Sequence, residues 1–239
     1  MNILFVVPVI CAILIYTISF QEGKQICDNY ILVSYLYTLF YLSLVAYGIK
    51  FCIDTKLWNM SLPAFLGVVV AFVVLQVGMI FTPKEWMIGK HLLSVVFSLV
   101  ASLMFSTLFV WYAPSSIVTA VLSTLVLFVA LTLIAWKYQD SIATNISWGM
   151  LIVFLAVILA EFFIGLYYPN TLMEKGIILV VLLLIGYLAL VKTKNMIENK
   201  KKCESEGGPD YVKEGTGLML TFQNLLIRIL QLGGKRKLK

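Results

Sequence analysis

The sequence predicts an all-α membrane protein built as a bundle of transmembrane helices. Of its 239 residues, 61% are hydrophobic and only 13% are charged, which is about half the charged share of soluble domains. The apolar residues form continuous runs, whereas the strands of a transmembrane barrel would alternate apolar and polar residues. A soluble core would leave large apolar patches exposed, so a soluble enzyme, a secreted disulfide scaffold and a disordered chain are excluded.

Seven apolar runs approach or exceed the roughly 20 residues that a helix needs to cross a membrane. The connectors between them are short, which makes neighbouring helices antiparallel. Aromatic residues cluster at the ends of the runs, as in an interfacial belt. The first run lacks a basic leader, so we expect a retained helix rather than a cleaved signal peptide. The runs are Asn2–Phe20, Ile31–Cys52, Phe65–Phe81, Leu92–Trp111, Ile117–Trp136, Ile146–Tyr168 and Gly176–Val191.

An eighth segment, Leu218–Leu232, is shorter and carries polar side chains. Four of them are spaced by three, four and three residues, so they fall on one helical face. We call this face the polar stripe: Thr221, Asn224, Arg228 and Gln231. Two interpretations remain open. The segment is either an interfacial amphipathic helix or a central helix whose stripe faces a bundle interior or an aqueous cavity.

The distribution of charge predicts which side of the membrane each connector occupies. The net charge is +6, and basic residues concentrate near the C-terminus, which typically marks the cytoplasmic face. The connectors on the side of the N-terminus hold three lysines, Lys50, Lys56 and Lys175. The opposite side holds ten: Lys24, Lys84, Lys90, Lys137, Lys192, Lys194, Lys200, Lys201, Lys202 and Lys213. We therefore place the second side in the cytoplasm, and we expect no nucleic-acid partner. The same bias favours re-entry of the eighth segment, which leaves the basic tail cytoplasmic.

The four cysteines are spread along the chain, at Cys11, Cys27, Cys52 and Cys203. No CxxC pair occurs, so the spacing does not support a zinc site. We expect free thiols and no bound metal.

The sequence contains no catalytic or phosphate-binding motif, so we expect neither an enzyme nor a cofactor. His91, the lone histidine, is interpreted as a polar residue at the start of a helix. Glu161 is the only acidic residue well inside a long apolar run, and intramembrane carboxylates are functional candidates by default. Three interpretations stay open: an ion pair with Lys50, a cation or proton path, and a protonated carboxyl group.

Part of the chain resembles a known family of membrane proteins. Val118–Ile142 reads VTAVLSTLVLFVALTLIAWKYQDSI, which is similar to the signature span of the transmembrane BAX-inhibitor-motif family, the family of Bax inhibitor, lifeguard and Golgi anti-apoptotic protein. The matching residues in that span are Ala120, Thr124, Leu131, Thr132, Ala135 and Asp140. The stretch from Tyr211-Val212 through Leu218, Leu220, Asn224-Leu225 and Arg228-Ile229-Leu230 resembles the last helix of the family, and Pro83 with Leu92-Leu93 resembles an earlier region. The compact chain is similar to viral members.

The resemblance implies a seven-helix transmembrane bundle of the BAX-inhibitor type over residues 31–232, with the last helix at its centre. Residues 1–20 are then an extra N-terminal hydrophobic helix, and residues 233–239 are a basic C-terminal tail. It also implies residence in the endoplasmic reticulum, the Golgi or a related endomembrane. Family members are linked to calcium leak and to suppression of cell death.

The resemblance also implies a pair of aspartates that gates the leak, and here the chain departs from the family. The last-helix aspartate position falls at Thr221, and the sixth-helix position falls at Val191 or Lys192. None of these is acidic, and a proton-sharing switch needs two carboxyl groups. We therefore expect an ungated or non-conducting relative of calcium-leak channels.

Two other classes of function stay open. The chain could be a transporter that uses Glu161 as its coupling group. It could also be a non-conducting adaptor whose basic loop and tail bind anionic lipids or partner proteins. The expected partners are membrane lipids, calcium ions, and other membrane or apoptosis-related proteins.

Overall fold

The computed structural model describes residues 3–21, 24–142, 156–157, 159–161, 163–164, 167, 171–205 and 207–235. The long helices in these ranges are α1 (Ile3–Ser19), α2 (Tyr30–Asp54), α3 (Leu62–Phe81), α4 (Met87–Phe109), α5 (Pro114–Lys137), α6 (Leu172–Lys202) and α7 (Tyr211–Gly233). Within the described ranges α2 to α6 are long and apolar enough to cross a membrane. The prediction of an α-helical membrane protein is therefore confirmed.

Two small elements accompany the helices. A hairpin follows α1, in which β1 (Phe20–Gln21) pairs antiparallel with β2 (Lys24–Gln25), and a 3-10 turn at Gln139–Ser141 follows α5. The predicted run Ile146–Tyr168 lies mostly outside the described residues. The described residues within that run, Glu161 among them, are helical.

The chain divides into two compact units. Unit 1 comprises Met1–Trp111 and Asn199–Met219. In it α2 packs against both α1 and α4, and α3 packs against α4. In α3 only Met79 is fully buried, so the side of this helix that faces away from α4 is available to lipid.

The interface between α2 and α4 depends on small side chains. Four serines of α4 are buried and satisfy their hydroxyls on carbonyls one turn earlier in the same helix, as small polar residues do where transmembrane helices approach closely. Ser102 also donates a hydrogen bond to the Val45 carbonyl of α2, at 3.3 Å. The four are Ser94, Ser98, Ser102 and Ser106.

Unit 2 comprises Tyr112–Glu198 and Leu220–Lys239. Phe128 of α5 meets Phe222 of α7 edge to face, with ring centroids 5.6 Å apart. After α7 the backbone of Lys235 exchanges hydrogen bonds with the start of α5. Its carbonyl accepts from the Ala113 amide, and its amide donates to the Ser116 hydroxyl, both at 3.0 Å. Of the predicted basic tail, 236–239 lie outside the described residues.

The helix α6 continues well beyond the predicted end at Val191. It ends at Lys202, so the lysines that the charge pattern assigned to a loop belong mostly to its last turns. Lysine is a good helix former, and cations near a helix C-terminus are favoured by the helix dipole. An apolar run therefore marks the membrane-spanning part of this helix and not its full length.

The helix α7 begins earlier than the predicted Leu218. It starts at Tyr211, directly after Asp210, whose carboxylate accepts a hydrogen bond from the Lys213 amide at 3.2 Å. An aspartate in this position caps the helix by satisfying a free amide. The apolar pattern missed these turns because they are polar or contain glycine.

We expect Gly48→Ala to destabilise the protein. A Cβ at this position in α2 would lie 2.6 Å from the Cβ of Ser102 in α4, and overpacking of this kind costs about 1–3 kcal/mol. Gly67→Ala is the control, because a Cβ there meets nothing within 4 Å. Thermal unfolding in detergent, followed with a dye that reacts with the buried free thiols Cys11 and Cys52, measures both variants. Equal melting temperatures would contradict the close approach of α2 and α4.

Candidate functional site

The first turns of α7 carry ionisable groups into unit 1. Lys90 of α4 is only 3% exposed, and its ammonium donates to the Asp210 carboxylate at 2.5 Å. Burial of a lysine without a partner is costly, so this pair compensates the charge that α4 brings into the unit. Asp210 thus both caps α7 and binds Lys90.

Glu214 lies one turn further along α7. Its Oε1 accepts a hydrogen bond from the Asn199 side-chain amide at 2.7 Å and a longer one from the Tyr30 hydroxyl at 3.4 Å. Burial raises the pKa of this carboxyl group, more than these hydrogen bonds and the charge of Lys213 lower it. We call Lys90, Asp210, Glu214, Tyr30 and Asn199 the amino-terminal cluster of α7.

His91 is held in a short hydrogen-bonded chain. Its Nδ1 lies 2.8 Å from the Met87 carbonyl and its Nε2 lies 2.7 Å from the Tyr37 hydroxyl. A carbonyl only accepts, so Nδ1 carries the proton and Nε2 accepts from Tyr37. The Tyr37 ring stacks on that of Tyr211 at a centroid distance of 6.0 Å. The histidine is therefore a partnered residue of the packed unit.

A disulfide between Cys27 and Cys203 corrects the expectation of four free thiols. It joins residues 176 positions apart in sequence, whereas Cys11 and Cys52 are free and buried. Beside it the Tyr211 hydroxyl donates to the Ile26 carbonyl. Two cysteines so far apart in sequence are brought together only by folding, so no local motif predicts their pairing.

In unit 2 Glu161 is paired with Arg228 of α7. The same guanidinium nitrogen donates to the Gln231 side-chain oxygen at 2.9 Å. The interpretation of Lys50 as the ion-pair partner of Glu161 is therefore wrong, since Lys50 binds Asp54 on its own helix at 2.9 Å. Both side chains of the Glu161–Arg228 pair are largely buried, with 14% and 17% exposed.

The other stripe residues differ in burial. Thr221 is 4% exposed, Gln231 is half-buried and Asn224 is exposed. The stripe of α7 thus combines buried and exposed residues. Sequence reasoning missed Gln223, which lies on the other side of the helix and is also 4% exposed. Its amide forms no hydrogen bond within the described part of the chain.

The positions where the family resemblance would place aspartates lie in or near the core of unit 2. Val191 and Thr221 are buried, and Lys192 is half-buried. Among the described residues no group of three or more His, Cys, Asp or Glu side chains could hold a metal ion. A calcium site of clustered carboxylates is therefore not formed by these residues.

We expect the Glu161–Arg228 pair to be important for stability. Removal of one partner leaves a buried charge without compensation, which costs about 3–5 kcal/mol. Glu161→Gln and Arg228→Gln should each lower the melting temperature in detergent, and the double variant should lose less than their sum. Lys50→Gln is the control, since the exposed Lys50–Asp54 pair is worth about 0–1 kcal/mol. Strictly additive losses would argue against the pair.

We expect Glu214 to make stability depend on pH. Its folded pKa is raised above its ordinary value of about 4.5, so the folded protein holds this proton more tightly than the unfolded chain does. The contribution to stability is complete below pH 4.5 and falls as the pH rises through the raised pKa. Melting temperatures between pH 4.5 and 8 should decline more in the wild type than in Glu214→Gln. Glu85→Gln, at an exposed position, should follow the wild type, and parallel curves for all three would refute the assignment to Glu214.

The comparison with known proteins agrees with the helical architecture. No curated protein and no solved structure gives a significant match to the sequence. The sequence does match the family described as "Inhibitor of apoptosis-promoting Bax1", over residues 27–237. This range begins after α1 and includes α2 to α7, with the amino-terminal cluster and the polar stripe. The chain therefore belongs to the Bax-inhibitor family of integral membrane proteins.

Proposed function

We propose that this protein modulates cell death and intracellular calcium from an endomembrane, as an ungated or non-conducting relative of calcium-leak channels. Membership of the family supports the general role. The seven-helix bundle of that family, with α1 as an additional helix, is part of the proposal. The endoplasmic reticulum or the Golgi is the proposed location.

One observation supports the absence of a gate. In unit 2 the carboxylate of Glu161 is paired with Arg228 of the polar stripe. The family's aspartate positions hold Val191, Lys192 and Thr221. A switch in which two carboxyl groups share a proton requires two such groups in contact. Here the buried carboxyl group of Glu161 is paired with the guanidinium of Arg228 and not with a second carboxyl group.

A second candidate function follows from the length of α6. A helix of 31 residues is about 46 Å long at 1.5 Å per residue, and the hydrocarbon core is about 30 Å thick. Its last turns therefore extend beyond the membrane and carry the exposed residues Lys200, Lys201 and Lys202. Lysines beside a membrane attract anionic headgroups by about 1 kcal/mol each, which favours an adaptor that binds anionic lipids or partner proteins.

Calcium flux from vesicles that contain the purified protein tests the proposed function. We expect wild-type flux, where present, to be unchanged between pH 6 and 8, because no carboxyl pair titrates in the gate position. Thr221→Asp should introduce a dependence on pH, whereas Thr119→Asp, at an exposed position of α5, should not.

The other outcomes separate the alternatives. A wild-type flux that changes severalfold over this pH range would contradict the absence of a gate. Loss of flux in Glu161→Gln, with normal folding, would favour the transporter. Absence of flux selects the non-conducting form, and binding to anionic but not neutral vesicles would then support the adaptor.

A further inference from the structure

We propose that the Cys27–Cys203 disulfide is a redox-controlled latch that holds the first turns of α7 in unit 1. The inference goes beyond the proposed function and does not depend on ion conduction. It rests on two observations, what the disulfide anchors and the different exposure of its two cysteine residues, and on the side of the membrane that the charge pattern predicts for it.

The disulfide anchors both ends of the segment that leads into α7. Cys203 directly follows α6, and its carbonyl accepts a hydrogen bond from the Gly208 amide at 2.9 Å. At the other end of the segment the Tyr211 hydroxyl donates to the carbonyl of Ile26, the neighbour of Cys27. The bond therefore fixes the residue against which Tyr211 is held.

Neighbouring contacts connect the disulfide to the amino-terminal cluster of α7. The Tyr30 ring packs on that of Tyr211 at a centroid distance of 5.3 Å, and the Tyr30 hydroxyl reaches Glu214. Asn199, four residues before Cys203, donates to Glu214. The disulfide joins residues that are 176 positions apart. Its opening leaves Asn199 and Tyr30 linked covalently only through the long chain between them.

The predicted orientation puts this bond in an unusual place. Cys27 lies in the connector after the first apolar run and Cys203 lies beyond the last one, so both belong to the side that holds ten of the thirteen assigned lysines. The positive-inside rule places that side in the cytoplasm. Cytosolic reductants keep thiols reduced, and disulfides that form there are typically transient, catalytic or redox-sensing.

The two cysteine residues differ in exposure to a reductant. Cys27 is partly exposed, whereas Cys203 is only 3% exposed. A reductant thiolate attacks the Cys27 sulfur, and the Cys203 thiolate leaves and takes a proton from water. A second reductant thiolate then displaces Cys27, which also takes a proton from water, so the protein gains two thiols and the two reductant thiols become a disulfide. The reverse exchange, with the oxidised reductant, closes the latch.

The test uses the full-length protein in lipid nanodiscs, in a Cys11→Ser/Cys52→Ser background in which only the latch cysteines remain. Samples are equilibrated with glutathione buffers of cytosol-like and of oxidising composition, and free thiols are counted by the gel shift with a maleimide polymer. We expect two free thiols in the reducing buffer and none in the oxidising one. A bond that stays closed in the cytosol-like buffer would overturn the proposal.

Limited proteolysis reports on the conformational effect. Trypsin should cleave after Lys200, Lys201 or Lys202 severalfold faster in the reduced protein than in the oxidised protein. The Cys27→Ser/Cys203→Ser variant should be cleaved at the fast rate with or without reductant, and Cys11→Ser/Cys52→Ser should respond as the wild type does. Equal rates for the reduced and oxidised wild type would overturn the proposal even where the double serine variant fails to fold.

The sidedness has its own readout. In sealed vesicles from cells, a membrane-impermeant maleimide added to the cytoplasmic face after reduction should modify Cys27. If the maleimide modifies Cys27 only after the membrane is opened, Cys27 does not face the cytoplasm. The bond would then lie in an oxidising compartment and be structural. Neither assay measures calcium, so the failure of this proposal is distinguishable from that of the proposed function.

Discussion

The structure depends on the pairing of buried charges along α7 and at its start, in an otherwise apolar chain. An unsatisfied polar group costs several kcal/mol in hydrocarbon, and an unpaired buried charge costs more. The pairs Lys90–Asp210 and Glu161–Arg228 avoid this cost, the first at the start of α7 and the second near its end. Each brings together residues that are far apart in sequence, so each also determines which parts of the chain must meet.

Small residues make this arrangement sterically possible. A Cβ at Gly215 would lie 2.5 Å from the Cβ of Tyr37, so only glycine allows the first turns of α7 to approach α2 this closely. Because the helices are this close, the Thr38 hydroxyl donates a hydrogen bond to the Gly215 carbonyl at 3.3 Å. Close backbone contact and satisfied polar groups are the means by which helices associate in a solvent as apolar as their own side chains.

The Glu161–Arg228 pair affects how much of the family's mechanism can be expected in this chain. A family match carries the architecture, but activity belongs to the residues of a site. In unit 2 the buried carboxylate of Glu161 is paired with the guanidinium of Arg228 and not with a second carboxyl group. Such a pair favours a fixed contact inside the protein. For this reason we propose a member of the family that lacks the proton-sharing gate.

The sequence by itself determined the class of solvent, the α-helical architecture, the family and most of the membrane-spanning helices, because apolar runs and their lengths are local properties. It also identified Glu161 and Arg228 as residues of interest, since charged groups in apolar segments are rare. Only the tertiary structure decided their pairing, the disulfide between Cys27 and Cys203, the role of Asp210 and the burial of Gln223. Each of these depends on which distant segments come into contact, and that is set by packing rather than by any local pattern.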